Sequence, residues 1–162
     1  MGDLPSNFKD SFSELEKNIQ TKHILEIIKE FESLLQRIIE NEKISCEVEI
    51  LIDIPQSTEN NSKKIRVNLV IPNQKNPKIL IIIKFITDYP EVLTNYMIEA
   101  MMLREHFGTD VKIIYIFHDS NQGFFEETIY KTLIKNMKEQ NHIDDLLFLP
   151  KDIKLFLEKI KS

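Results

Sequence analysis

The chain has 162 residues, 42% hydrophobic and 29% charged, with a formal net charge of −5 and one cysteine. That size and balance suit one domain with a sizeable core. The acidic total argues against a protein that coats nucleic acid non-specifically, and one cysteine excludes an internal disulfide or a zinc module.

The start, Met1-Gly2-Asp3-Leu4-Pro5-Ser6, lacks the basic-then-apolar order of a signal peptide. No run of roughly 18 apolar residues exists anywhere, so no membrane partner is expected and the protein is read as soluble and intracellular, in cytoplasm or nucleus. Charge is uneven: residues 61–84 hold Lys63, Lys64, Arg66, Lys75, Lys78 and Lys84 and no acid, which is +6 and leaves −11 on the remainder. Such lysines either form a local basic surface or simply keep strand edges solvated.

In chain order, residues 8–42 show helical spacing: Phe8, Phe12, Leu15 and Ile19, then Ile24, Ile28, Phe31, Leu35 and Ile38, with a break expected near a capping Thr21. Residues 44–54 alternate, placing Cys46, Val48, Ile50, Ile52 and Ile54 inward and Glu47, Glu49 and Asp53 outward. Cys46 is thus read as a small core residue. A Ser-, Thr- and Asn-rich loop from Pro55 to Ser62 leads into a second alternating run, with Ile65, Val67, Leu69 and Ile71 on one face and Lys64, Arg66 and Asn68 on the other. After a turn over residues 72–77, the run 78–85 is apolar on both faces, as in a central strand, apart from Lys84 near its end. Three consecutive strands with short connections make a meander.

Beyond Asp88-Tyr89-Pro90 the period becomes helical, with Val92, Tyr96, Ala100, Leu103 and Phe107 aligned and Gly108 as the stop. Residues 111–117 read as a buried strand, and 118–123 as a loop. A helix over 124–140 carries Phe125, Ile129, Leu133 and Met137 inward. A brief apolar piece, 146–149, precedes a last helix over 150–161 that buries Ile153, Phe156, Leu157 and Ile160. The expected fold is α/β: a mixed central sheet in αβββαβα order, helices on both faces and a C-terminal helical appendage. One domain over 1–162 is expected, with its core in 24–140.

That order and the strand pair at 64–71 and 78–85 resemble the PD-(D/E)XK, or restriction-endonuclease-like, superfamily. There, the second strand carries an aspartate in contexts similar to Arg66-Val67-Asp-Leu69-Val70-Ile71, and the third carries Glu-x-Lys. Asn68 stands at the aspartate position and Ile82 at the glutamate, while Lys84 is retained. The resemblance therefore implies a degenerate member. Mg2+-assisted phosphodiester hydrolysis needs hard anionic oxygens, and Asn68 and Ile82 remove about two negative charges from that place. Lys84 would then contact phosphate without metal, or else snorkel to the sheet end or pair with a helix glutamate. Glu99 is the first candidate for a relocated acid, followed by Glu26, Glu30, Glu40, Glu47, Glu49 and Asp53; each also reads as a solvated helix or strand position.

Other chemistries lack a pattern. His23, His106, His118 and His142 have no partner at metal-ligand spacing, and His118-Asp119 at a strand end reads as a loop cap or a site. Three glycines, at 2, 108 and 123, build no phosphate-binding loop. The leading expectation is a catalytically inactive nuclease-fold protein acting as a binding or assembly subunit, with neither cofactor nor metal. A protein partner or a second copy is its expected partner. DNA is a candidate ligand, held by Lys63, Lys64, Arg66 and Lys84. Two alternatives stand beside it: an active metal-dependent DNA nuclease using a relocated acid, and an interaction scaffold of the RWD or ubiquitin-conjugating-like type, suggested by Asp88-Tyr89-Pro90 after a meander.

Overall fold

A computed structural model describes residues 5–55, 62–85, 90–121 and 128–162. The N-terminal helical region divides into α1 (Ser6–Ile19) and α2 (Ile24–Asn41). The cap of α2 is His23 rather than Thr21: its Nδ1 accepts from the Leu25 amide at 3.2 Å, satisfying one of the donors that a helix start leaves free. Ile24, expected inward, is exposed at the mouth of the pocket described below. Ile28 is half-buried on the same pocket, and Ile27, Phe31, Leu34, Leu35, Ile38 and Ile39 are buried.

The strands are β1 (Glu47–Pro55), β2 (Ser62–Ile71) and β3 (Ile79–Ile83), each antiparallel to the one before. Helix α3 (Pro90–Phe107) then crosses to β4 (Lys112–His118), which runs parallel to β3. Helix α4 (Thr128–Glu139) leads to β5 (Asp145–Leu149), parallel to β4, and α5 (Ile153–Lys161) follows. The sheet order is β1-β2-β3-β4-β5. The expected α/β architecture is present. Two features extend it: the apolar piece before residue 150 is a fifth strand, and the last helix docks Phe156, Leu157 and Ile160 into the main core beside α1 and α2. Parallel pairing of β3 with β4 also removes the four-strand meander that an RWD-like scaffold requires. Of the residues aligned on the fourth helix, Phe125 lies outside the described residues, as do Asp88, Tyr89 and Gly123.

One core packs α1, α2 and α5 on the sheet, and a second packs α3 and α4 on the opposite face. Strand β3 feeds both, with Ile79, Ile81 and Ile83 toward the first and Leu80 and Ile82 toward the second. Strand β2 departs from the expected pattern. Ile65 and Val67 join the second core, whereas Leu69 and Ile71 join the first, so the four do not share a face. The switch falls at Asn68. Across the ladder, Val48 and Ile50 part in the same way on either side of Glu49, whose φ of 55° is left-handed. A backbone of that hand costs a non-glycine residue about 1–2 kcal/mol, so the packing of both halves of the hairpin holds it in place.

Candidate functional site

Pairing of β2 with β3 stops at Leu69 and Ile81, whereas β2 continues toward its start paired with β1. The two strands diverge from that point, and the gap between them is a pocket of about 360 Å³ lined by Arg66, Asn68, Ile83, Lys84, Phe85 and Tyr96, with Ile24, Leu25 and Ile28 of α2 along one wall. The structure thus brings together two of the three positions singled out by the strand pair, Asn68 and Lys84. Ile82 is fully buried in the second core and does not line the pocket.

Asn68 is 3% exposed and fully employed. Its Oδ1 accepts from the Ile83 amide at 2.8 Å, completing the bond that the diverging ladder leaves open, and its Nδ2 donates to Glu32 Oε2 at 2.9 Å. Glu32, on α2, is a buried carboxylate, 4% exposed, that sequence reading passed over. The signal was available: position 32 lies four residues after Ile28 and three before Leu35, at the edge of the apolar stripe. Arg66 Nη2 approaches Glu32 Oε2 at 3.4 Å and Glu49 Oε1 at 3.5 Å. Burial pushes the Glu32 carboxyl above its ordinary value and Glu49 adds to that push, while the Asn68 hydrogen bond and the Arg66 charge pull it back.

On the opposite side of the pocket, Lys84 meets Glu99 of α3 at 3.0 Å, the side chains being 19% and 22% exposed. The ammonium also lies 4.8 Å from the centre of the Tyr96 ring. The Tyr96 hydroxyl donates to the Phe85 carbonyl at 2.7 Å, and burial, followed by the Glu99 charge, raises its pKa to about 12. The helix glutamate weighed as a partner for Lys84 is present, and it is Glu99. The other acids considered lie elsewhere. Glu30 accepts from Asn18 of α1, Glu40 from Gln36 and Glu47 from the Gln74 amide, while Glu26 is exposed and Asp53 faces a shallow depression beside Leu51 and His106.

Lys63 and Lys64 are exposed at the start of β2, opposite Ile54 and Asp53. Lys64 is two residues from Arg66, so the pair points to one side of the strand. His118 is buried at the end of β4 with its ring against Phe31, 6.3 Å between centroids; its Nδ1 accepts from the Ser120 amide at 3.1 Å. That bond to the following turn matches the loop-cap reading, and burial lowers the ring's pKa against the pull of Asp119 and Glu16.

Mg2+ would require several oxygens with spare negative charge. Here Asn68 Oδ1 is taken by a backbone amide, Glu32 and Glu49 face a guanidinium, and Glu99 faces an ammonium. Among the described residues no three histidine, cysteine, aspartate or glutamate side chains converge on one point. This donor set does not fit a divalent ion in the pocket.

The five-stranded mixed sheet lies between helical layers, with a pocket where its second and third strands part, and this fold is similar to that of a restriction endonuclease. One solved structure that matches it is the restriction endonuclease PspGI in complex with substrate DNA, at TM-score 0.50 and 19% identity, covering 91% of this chain. The chain spans 66% of the length of that protein. No family model matches the sequence, and no curated protein matches it significantly. Among the described residues, no helix is long and apolar enough to cross a membrane.

Proposed function

We propose that the protein is a nuclease-fold subunit that binds nucleic acid, or assembles with a protein or a second copy of itself in a DNA-processing complex, without hydrolysing phosphodiesters. The observation that carries this reading is the internal pairing at the pocket: the carboxylates beside it already face protein cations, Glu32 and Glu49 facing Arg66 and Glu99 facing Lys84. A neighbour of the same fold is a DNA complex, and the exposed Lys64 continues the Arg66 side of β2 outward, with Lys63 exposed beside it on the other side of the strand. Phosphate contacts from these lysines, Arg66 and Lys84 would give binding that falls steeply with salt.

The test is a fluorescence-anisotropy titration of single-stranded, duplex and branched DNA across salt concentrations, run beside a cleavage assay with Mg2+ or Mn2+. Binding without cleavage is expected, and replacing Lys63 and Lys64 with alanine should shallow the log–log salt slope by about one per lysine. Metal-dependent cleavage lost in both Lys84→Ala and Glu99→Gln would replace this reading with the relocated-acid nuclease. Salt-independent or absent binding to every DNA form would leave protein assembly as the role.

A further inference from the structure

The pocket where β2 and β3 part joins cations to apolar surface. In the register that pairs Leu69 with Ile81, position 66 stands opposite position 84, so Arg66 and Lys84 lie on the two sides of the gap in place of a continued ladder. The mouth is the first turn of α2, where Ile24 and Leu25 are 37% and 56% exposed, and Phe85 and the Tyr96 ring add aromatic surface. Ile24 and Leu25 are not needed by the core, which α2 reaches through Ile27 and Phe31.

The cations do not make this a site for phosphate alone. Glu32 and Glu49 face Arg66 and Glu99 faces Lys84, so these groups leave no surplus positive charge around the pocket. A duplex keeps its bases stacked inside and would offer only phosphates here. An unpaired nucleotide offers a phosphate and a flat apolar face together, and sites for such nucleotides combine a cationic track with apolar or aromatic surface for the base. The volume of about 360 Å³ is at the small end for ligand sites and suits one nucleotide rather than several. The track also continues outward, because the exposed Lys64 lies on the Arg66 side of β2, about 7 Å further along the strand.

We propose that the pocket takes one unpaired nucleotide of a single strand or frayed end, its base on the Ile24–Leu25–Ile28 wall and its phosphate between Arg66 and Lys84. This rests on the nucleic-acid reading above and deepens it by naming the form of nucleic acid. The α2 wall selects for the unpaired base, and Lys64 follows the neighbouring phosphate.

The experiment is a fluorescence-anisotropy titration of the full chain with a short labelled oligothymidylate and with a blunt duplex of the same length, beside sedimentation of the free protein. The wild type is expected to hold the single strand at least about 5-fold tighter than the duplex, the low end of what one stacked base contributes. Leu25→Ser and Ile24→Ser, at exposed positions that leave the core intact, should each remove most of that preference without changing the salt slope, because neither removes a charge. Equal binding of both DNA forms, or a preference untouched by both variants, overturns the proposal and leaves the broader nucleic-acid reading standing. Absence of binding to either form defeats both together. A wild type that sediments as a dimer and becomes a monomer in Leu25→Ser would make the wall an interface between copies and refute the assignment.

Discussion

Replacing Asn68 with alanine removes two bonds from one buried point. The hydrogen bond from Nδ2 to the Glu32 carboxylate belongs to the charge-assisted class, worth about 1.5–3 kcal/mol. Losing Oδ1 strands the Ile83 amide, and a buried unsatisfied donor costs about 1–3 kcal/mol. Together the loss is about 2.5–6 kcal/mol, a large share of the roughly 5–15 kcal/mol that holds a typical domain. With a urea slope of about 1–3 kcal/mol/M, the midpoint should fall by about 2 M at an unchanged slope. Asn68→Asp separates the two bonds: it keeps an acceptor for Ile83 but sets a second carboxylate against Glu32. Two such carboxyls share a proton at low pH and repel when both ionise. Their folded-state pKa is raised, so stability present at low pH is lost as pH rises, and the variant should lie closer to wild type at pH 5 than at pH 8. An alanine variant that loses under about 1 kcal/mol, or an aspartate variant insensitive to pH, would refute the account of Asn68 as the pin between β2, β3 and α2.

A double-mutant cycle on Lys84→Met and Glu99→Gln should return a coupling of about 1–2 kcal/mol, above the range for exposed pairs because both side chains are about four-fifths buried. A value near zero would show the contact to be incidental. Arg104 donates to the carbonyls of Gly108, Val111 and Asn141 and to the Asp144 carboxylate, tying the end of α3 to the turn before β5. Arg104→Lys cannot reproduce that fork and should cost about 2–3 kcal/mol in chemical denaturation, whereas a change below about 0.5 kcal/mol would contradict it. His118 has a folded-state pKa below 6.5, so its contribution is full above pH 6.5 and is lost as pH falls toward the folded value. In wild type minus His118→Phe, stability should therefore decline over that interval; a flat difference would mean the ring does not titrate as placed.

Much of the scaffold was legible because periodicity is a direct trace of burial. The both-sided apolarity of Ile79–Ile83 identified the central strand, and the spacing in α2 identified its packed face. The exchange of faces at Asn68 and Glu49 left no such trace. Residues on both sides of the switch are equally apolar, and no glycine marks the left-handed position. Strand β5 was obscured by its length, five residues between two turns. The candidate site was half visible. Asn68 and Lys84 stood out as polar interruptions in apolar strands, and Glu99 was named as a candidate, but Glu32 looked like one more charge on a charged helix. Its partner Arg66 is 34 residues away in sequence, and no local pattern reports such a contact.

The two cations facing the pocket are anchored in opposite directions. Arg66 reaches back to α2 in one helical layer, and Lys84 reaches to α3 in the other. An anion entering the gap and drawing on both would slacken a tether to each layer at once. Occupancy of that small opening would then act on the seating of both helical walls.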